Sequence, residues 1–254
     1  MRRTAAWTLV VIALGVFSYW VSRAVTVRAE RGEWVPFTAA MVERSYSGSS
    51  TKPSNIENYV YARRRDGSWV RDTKRQIMPD GGWGDMRVVE DYSSGSRTTV
   101  DPGTESLVTY PYSAKSVARL SAAPAACSAD PNAQHATLLG YDTVIVRRNL
   151  AGPPGEVTKA TYWRAPTLNC FALKEVVTLE CETCPPARNT REALLVSEGD
   201  PSPTLFEIPA GYVERTPSQV FAEFARRFPA RPQTPAETGR RLDQVYQSFR
   251  KQAH

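Results

Sequence analysis

Short strand-forming runs that alternate with tight-turn signals between Asn58 and Pro111 constrain the fold of this chain more than any other feature. The turn signals are rich in residues that accept turn backbone angles: Asp66-Gly67, Pro79-Asp80-Gly81-Gly82, Ser94-Gly95 and Pro102-Gly103. Turns this short leave no room for a crossover connection, so consecutive strands must pair antiparallel. The pattern predicts an antiparallel meander with strands at 58–64, 68–78, 85–92, 97–101 and 105–110.

Further strand-like runs follow the meander, at 137–148, 156–163, 171–180 and 190–197. Residues 123–132 are rich in Ala, Pro and Ser and predict a loop or a short helical excursion. Residues 37–46 fit either a helix or a strand, and the alternation of Phe37, Ala39 and Met41 favours a first strand. The predicted fold class is α+β, mainly antiparallel β.

The chain changes character at Thr216, where two helix-start patterns follow one another. Each places a hydroxyl at the N-cap, proline at the first helical position and Gln or Glu at the third: Thr216-Pro217-Ser218-Gln219 and Thr234-Pro235-Ala236-Glu237. Each helix carries an apolar stripe, formed by Val220, Phe221, Phe224 and Phe228 and by Leu242, Val245, Tyr246 and Phe249. We expect residues 216–254 to form two helices that pack on the sheet; alternatively, the last helix binds a partner.

Residues 1–24 carry the signal for export. An uncharged apolar run at 5–22 has arginines on both flanks, and a run of about 18 apolar residues behind a basic flank directs a chain to the secretory machinery. The run predicts one hydrophobic helix, which is either a retained membrane anchor or a signal peptide cut after Ala24 or Ala29. Residues 25–215 then form the β domain.

The positive charge of the chain does not indicate nucleic-acid binding. The formal net charge is +6, but residues 1–24 contribute three arginines and no acidic residue. The remainder is only weakly basic. The run Arg63-Arg64-Arg65 fits a solvated strand end beside a turn better than a phosphate-binding patch.

Four cysteines, Cys127, Cys170, Cys181 and Cys184, allow three pairings. Because an exported chain folds in an oxidising compartment, we favour disulfides between Cys127 and Cys170 and between Cys181 and Cys184. Zinc binding and thiol exchange are the alternatives. The single Cys-x-x-Cys argues against zinc, and its place at the end of a β-run rather than at a helix N-terminus argues against exchange.

Catalytic motifs are absent from the sequence. It has no Gly-x-Ser-x-Gly elbow, no His-Glu-x-x-His, no phosphate-binding glycine loop and no dinucleotide fingerprint. Of the two histidines, His254 is the last residue and His135 lies in a polar loop. Glu90 and Asp91 are adjacent and therefore point to opposite faces of a strand. We expect a protein that is not an enzyme and needs no cofactor or metal.

Five segments resemble bacterial envelope proteins of the LolA-like superfamily: YARRRDGS (61–68), TVDP (99–102), LGY (139–141), WRAPTLNC (163–170) and FEIPAGY (206–212). The resemblance spans about residues 37–215. It implies a strongly curved antiparallel sheet, an incomplete barrel closed by helices, whose apolar concave face holds lipid acyl chains or senses a partner. It implies no enzymatic activity, and a location on the periplasmic side of the cell envelope, either anchored in the inner membrane or secreted.

Apolar and aromatic side chains on the predicted strands are the candidates to line that face: Tyr59, Tyr61, Trp69, Met86, Val88 and Leu107. Burial of an acyl chain against them contributes about 0.8 kcal/mol per methylene. The alternative is that each is ordinary core beneath the helices. The leading functional hypothesis is binding of lipid or lipoprotein acyl chains, and the alternative is a membrane-tethered interaction or sensor module without a lipid ligand.

Overall fold

A computed structural model of the chain describes residues 33–74, 86–124, 126–128, 130, 132–151, 156–181, 185–229 and 236–253. In these residues twelve strands form one sheet. The strands are β1 (Phe37–Ser47), β2 (Asn55–Arg63), β3 (Trp69–Lys74), β4 (Met86–Asp91), β5 (Ser96–Asp101), β6 (Ser106–Pro111), β7 (His135–Leu138), β8 (Tyr141–Ala151), β9 (Glu156–Ala165), β10 (Phe171–Cys181), β11 (Ala187–Glu198) and β12 (Val213–Glu214).

Two meanders meet at the first strand. The spatial order is β12-β6-β5-β4-β3-β2-β1-β11-β10-β9-β8-β7, and every neighbouring pair is antiparallel except β12 with β6. The antiparallel meander predicted from the turn signals is thereby confirmed for β2 to β6. The alternation at 37–46 does mark a strand, and β1 joins the two meanders by pairing with both β2 and β11.

The region expected as one strand at 137–148 is instead a hairpin, β7 and β8. Leu139 and Gly140 form its turn with φ values of 51° and 82°. A two-residue hairpin turn of this kind needs positive φ at both positions, which glycine accepts and leucine adopts only with strain. A turn was not predicted at this point because Leu139, which precedes Gly140, does not belong to the usual turn residues.

The sheet curls toward the face that carries Phe37, Ala39 and Met41, and it is open and strongly curved. Leu138 and Tyr141 pack on the same apolar cluster as Tyr59 of β2, although β9, β10, β11 and β1 lie between them. A flat sheet would hold these side chains far apart. We call this the concave face.

The opposite, convex face is covered in part by the segment after β11. A short 3-10 helix, Pro203–Phe206, places Phe206 on Ala62, Val70 and Val89. The Arg64 guanidinium stacks on the Phe206 ring at 3.7 Å. This second cluster gives the sheet a core on its other side, so the strands of the first meander are buried on both faces.

Three helices accompany the sheet in the described residues: α1 (Ala114–Leu120), α2 (Pro217–Arg227) and α3 (Ala236–Ala253). The capping box predicted at Thr216 is present, with Gln219 Oε1 accepting from the Thr216 backbone N–H at 2.9 Å. Gly239 lets α3 approach α2 closely, because a Cβ there would lie 3.4 Å from Ser218. None of the three helices combines the length and the hydropathy that a membrane crossing requires.

Four sequence predictions lie outside the described residues. They are the hydrophobic helix at 1–24, the turn at 79–82, the N-cap at Thr234 and the Cys181–Cys184 disulfide.

The segment between β6 and β7 links the two edges of the sheet. It contacts the start of β1, where Trp34 Nε1 donates to the Ser121 carbonyl at 2.6 Å. It is then fixed to the β9–β10 turn by a disulfide between Cys127 and Cys170, the longer-range bridge favoured from the sequence. The segment therefore closes one end of the concave face, the end at which β1 begins.

Removal of this disulfide is expected to lower the free energy of unfolding by about 3–4 kcal/mol. The bridge joins residues 43 positions apart, and without it the unfolded chain gains conformational entropy. Urea unfolding of the variant with Cys127→Ser and Cys170→Ser measures the loss. Ser128→Ala, in the same loop, is the control and is expected to change stability by about 0.5 kcal/mol or less. A double variant as stable as the wild type would contradict the prediction.

Candidate functional site

The concave face gathers five of the six side chains predicted to line a ligand site: Tyr59, Tyr61, Trp69, Met86 and Val88. Cross-strand pairing of Tyr59 with Thr73, and of Thr73 with Met86, shows that β2, β3 and β4 present these positions on one face. Leu107 pairs with Val100, and Val100 pairs with Arg87. Because Arg87 stands between Met86 and Val88 on β4, Leu107 lies on the opposite face. Its neighbour Val108 occupies the concave position and is buried. Contact of any of these residues with a ligand stays a prediction.

Stacked aromatic rings form the floor of the concave face at its closed end. Phe171 lies 4.7 Å from Phe37 and 4.8 Å from Tyr61, and Tyr61 stacks on Trp69 at 5.7 Å between ring centroids. The Arg63 guanidinium covers this group, 4.2 Å from the Trp34 ring, and donates to the Tyr61 hydroxyl at 2.6 Å. Phe37 is fully buried, whereas Tyr61 and Trp69 are half-buried.

A group of charged side chains crosses the same face next to the aromatic floor. Side chains alternate between the two faces along β1, so Glu43 lies on the same face as Met41. Glu43 pairs with Arg191 of β11, and Arg191 pairs with Glu175 of β10. Arg191 Nη2 lies 3.0 Å from Glu175 Oε2. Arg71 Nη2 lies 3.0 Å from Glu43 Oε2 and 3.3 Å from Glu57 Oε1. We call Glu43, Glu57, Arg71, Glu175 and Arg191 the charged strip.

The charged strip changes the titration of the groups within it. Burial alone would raise the pKa of Glu43, but Arg71, Arg191 and the Asn189 amide outweigh it and hold this pKa below its usual value of 4.5. Burial raises the pKa of Tyr59 to about 12. At neutral pH the Glu43 carboxylate is therefore charged, whereas the Tyr59 phenol is neutral.

Solvent reaches the charged strip inside the curved sheet. The Arg191 and Arg71 side chains keep 32% and 24% of their surface exposed although strands surround them. The strip thus lies in an accessible part of the concave face, whereas Phe37 and Met41 at the closed end are sealed. Sequence analysis did not single out the strip, although the alternation that placed Phe37, Ala39 and Met41 on one face extends to Glu43.

The C-terminal helix α3 covers the concave face at its β6 edge. Tyr110 and Tyr112 of this edge meet Phe249 at 5.7 and 6.2 Å between ring centroids, and Tyr246 packs edge-on against Tyr110 at 5.4 Å. Phe224 of α2 packs instead on Phe228 at 5.0 Å. In the part of the chain that the structure describes, these rings lie at one rim of the concave face.

A small cavity lies next to the Cys127–Cys170 disulfide. It has a volume of about 290 Å³, and Asp130, His135 and Pro166 are among its lining residues. His135 is exposed and its Nδ1 lies 2.9 Å from Asp142 Oδ2. The described residues contain no group of three or more His, Cys, Asp or Glu side chains arranged to hold a metal ion.

A comparison with solved structures finds similarity to two bacterial proteins, among others. One is a LolA superfamily protein from Nitrosomonas europaea, 8% identical, with a TM-score of 0.34 over 70% of this chain and 92% of that chain. The other is a domain from Vibrio parahaemolyticus described as an outer membrane lipoprotein-sorting protein, 8% identical, with a TM-score of 0.31 over 76% and 95% of the two chains. No family model and no curated protein matches the sequence.

Proposed function

We propose that this protein is a non-enzymatic bacterial envelope protein that binds acyl chains of a lipid or lipoprotein on the concave face of its sheet. The observation that carries the proposal is the gathering of Tyr59, Tyr61, Trp69, Met86 and Val88 on one face of a curved sheet. Apolar surface on the inside of a curved sheet suits a flexible hydrocarbon chain, which gains about 0.8 kcal/mol for each methylene removed from water.

The accessible and sealed parts of this face suggest where a chain would lie. Tyr61, Trp69 and Met86 are half-buried and retain surface for contact, while Phe37 beneath them is core. The charged strip borders this group on the same face, and its arginines Arg71 and Arg191 keep 24% and 32% of their side-chain surface exposed. An amphiphile with its chain over Met86 and Trp69 and its polar end toward the strip would satisfy both kinds of surface.

The alternative function is a membrane-tethered interaction or sensor module without a lipid ligand. The burial of Phe37, Met41 and Tyr59 favours it, because the deepest part of the concave face is already filled by the protein's own side chains. In this case the N-terminal segment at 5–22 would hold the sheet at the membrane, and the sheet or α3 would contact another envelope protein.

Native mass spectrometry separates the two functions. Residues 25–254, exported to the periplasm and purified without detergent, are expected to carry a stoichiometric lipid that solvent extraction releases. Met86→Glu, on the concave face, is expected to abolish the bound lipid, because an ionised carboxylate there opposes burial of a hydrocarbon chain. Leu107→Glu places the same charge on the opposite face and is expected to retain it.

A ligand-free mass for the wild type would reject lipid binding and favour the tethered module. Equal loss of lipid in both variants would also contradict the concave site, since only one of the two residues faces it.

A further inference from the structure

Two arginines on the concave face have no counter-ion among the described residues. Arg164 of β9 pairs with Val144, and Arg148 of β8 pairs with Ala160, which places both on the face of Tyr162. No carboxylate of the described chain lies within 4.0 Å of either guanidinium, and neither makes a side-chain hydrogen bond there. The Arg164 guanidinium instead lies 4.9 Å from the centre of the Tyr162 ring, between the two arginine positions.

The carboxylates of the charged strip already have arginine partners. Glu175, the carboxylate next to Tyr162 in the register, is engaged by Arg191 at 3.0 Å. Glu43 and Glu57 are engaged by Arg71. Burial and the neighbouring charge of Arg148 lower the pKa of Arg164 and outweigh the opposite effect of Tyr162 and Glu175, so the protein holds this cation at a cost. Two half-buried guanidiniums on one face, neither in an ion pair, present donors that suit an anion.

We propose that Arg148 and Arg164 bind the anionic oxygens of the ligand's head group, a phosphate or a carboxylate, while its chain lies on the concave face. Guanidinium forks match both oxygen geometries and form charge-assisted hydrogen bonds with them. The apolar cluster of Ala160, Tyr162 and Val177 lies next to the two arginines on the same face. The arginines would therefore contact the head group while this cluster contacts the first methylenes of the chain. This inference rests on the proposed acyl-chain function and names the class of amphiphile.

Calorimetric titration with two amphiphiles of equal chain length tests the site. Dodecyl phosphate and the uncharged dodecyl maltoside are added, below their micelle concentrations, to residues 25–254 stripped of lipid. The wild type is expected to bind dodecyl phosphate at least tenfold more tightly than dodecyl maltoside. The double variant Arg148→Gln, Arg164→Gln is expected to lose at least tenfold in affinity for dodecyl phosphate and to bind dodecyl maltoside within threefold of the wild type.

Arg147→Gln is the matched control. It removes the same charge one residue away, from an exposed arginine on the other face that donates to Gln134. It is expected to leave both affinities unchanged. The double variant is expected to melt at or above the wild-type temperature, because it breaks no ion pair. If it fails to fold, the two Arg→Lys changes take its place, since lysine keeps the charge and loses the planar fork.

Each other outcome overturns a defined part of the idea. Equal binding of both amphiphiles by wild type and double variant would reject the anion site and leave acyl-chain binding standing. Binding of inorganic phosphate in a third titration, without binding of either amphiphile, would reject the amphiphile head group and the acyl-chain function together. No binding of any of the three probes would reject both as well.

Discussion

Replacing Phe37 with alanine is expected to lower the free energy of unfolding by about 3–5 kcal/mol, the usual cost of emptying a large buried aromatic site. Phe37 is 0% exposed and contacts Phe171 at 4.7 Å and Tyr61 at 5.8 Å between ring centroids. It also lies at the junction of the two meanders, because β1 pairs with β2 on one side and β11 on the other. The cavity would therefore loosen both halves of the sheet.

Leu195→Ala on β11 is the control, since Leu195 is 64% exposed and its truncation removes little buried surface. Its expected effect is about 0.5 kcal/mol or less. Urea unfolding monitored by far-ultraviolet circular dichroism gives both values. If Phe37→Ala were no more destabilising than Leu195→Ala, the aromatic floor would not be part of the folded core.

Local patterns predicted the elements of this fold better than their long-range partners. Asp66-Gly67 and Ser94-Gly95 mark hairpins because few other residues accept their backbone angles, and Thr216 with Gln219 marks a helix start. The pairing of β1 with β11 has no such local signal. It joins residues that are far apart in sequence, such as Glu43 and Asn189, which are 146 residues apart and hydrogen-bonded at 2.9 Å.

The candidate site shows the same division between local and long-range information. Five positions could be predicted to share one face of the sheet because apolar residues alternate on β2 to β4. The prediction placed Leu107 on the concave face, but the register places Val108 there instead. Both residues are apolar, and a shift of one residue exchanges the two faces of a strand. The charged strip could not be predicted, because its carboxylates and guanidiniums come from β1, β2, β3, β10 and β11.

Replacing Arg191 with methionine is expected to lower the free energy of unfolding by about 2–4 kcal/mol. Loss of one partner from a buried ion pair costs roughly 3–5 kcal/mol, and the 32% exposure of Arg191 to solvent reduces that figure. The damage comes from Glu175, whose side chain is only 7% exposed and would lose its ion-pair partner at 3.0 Å. Urea unfolding at pH 7 measures the change.

Two further variants show whether the effect is electrostatic. Arg188→Met removes an exposed arginine from the same strand, where it stacks on Tyr46 at 4.1 Å, and is expected to cost about 1 kcal/mol or less. Adding Glu175→Gln to Arg191→Met is expected to recover about 1 kcal/mol or more of the free energy of unfolding, because it removes the carboxylate that has lost its partner. A double variant less stable than Arg191→Met alone would assign the effect to packing.

Acid titration of stability tests the same network through Glu43. Its pKa in the folded protein is below the ordinary value of 4.5, so the ionised carboxylate stabilises the fold above about pH 4.5. This contribution is lost as the pH falls through the folded pKa. The stability difference between wild type and Glu43→Gln is therefore expected to be largest near pH 7 and to narrow below about pH 4.5. Glu180→Gln removes an exposed partner of Lys159, and its stability difference from the wild type is expected to show no comparable decrease at low pH. If the stability difference between wild type and Glu43→Gln stays constant with pH, the charge of Glu43 contributes nothing to the stability of the strip.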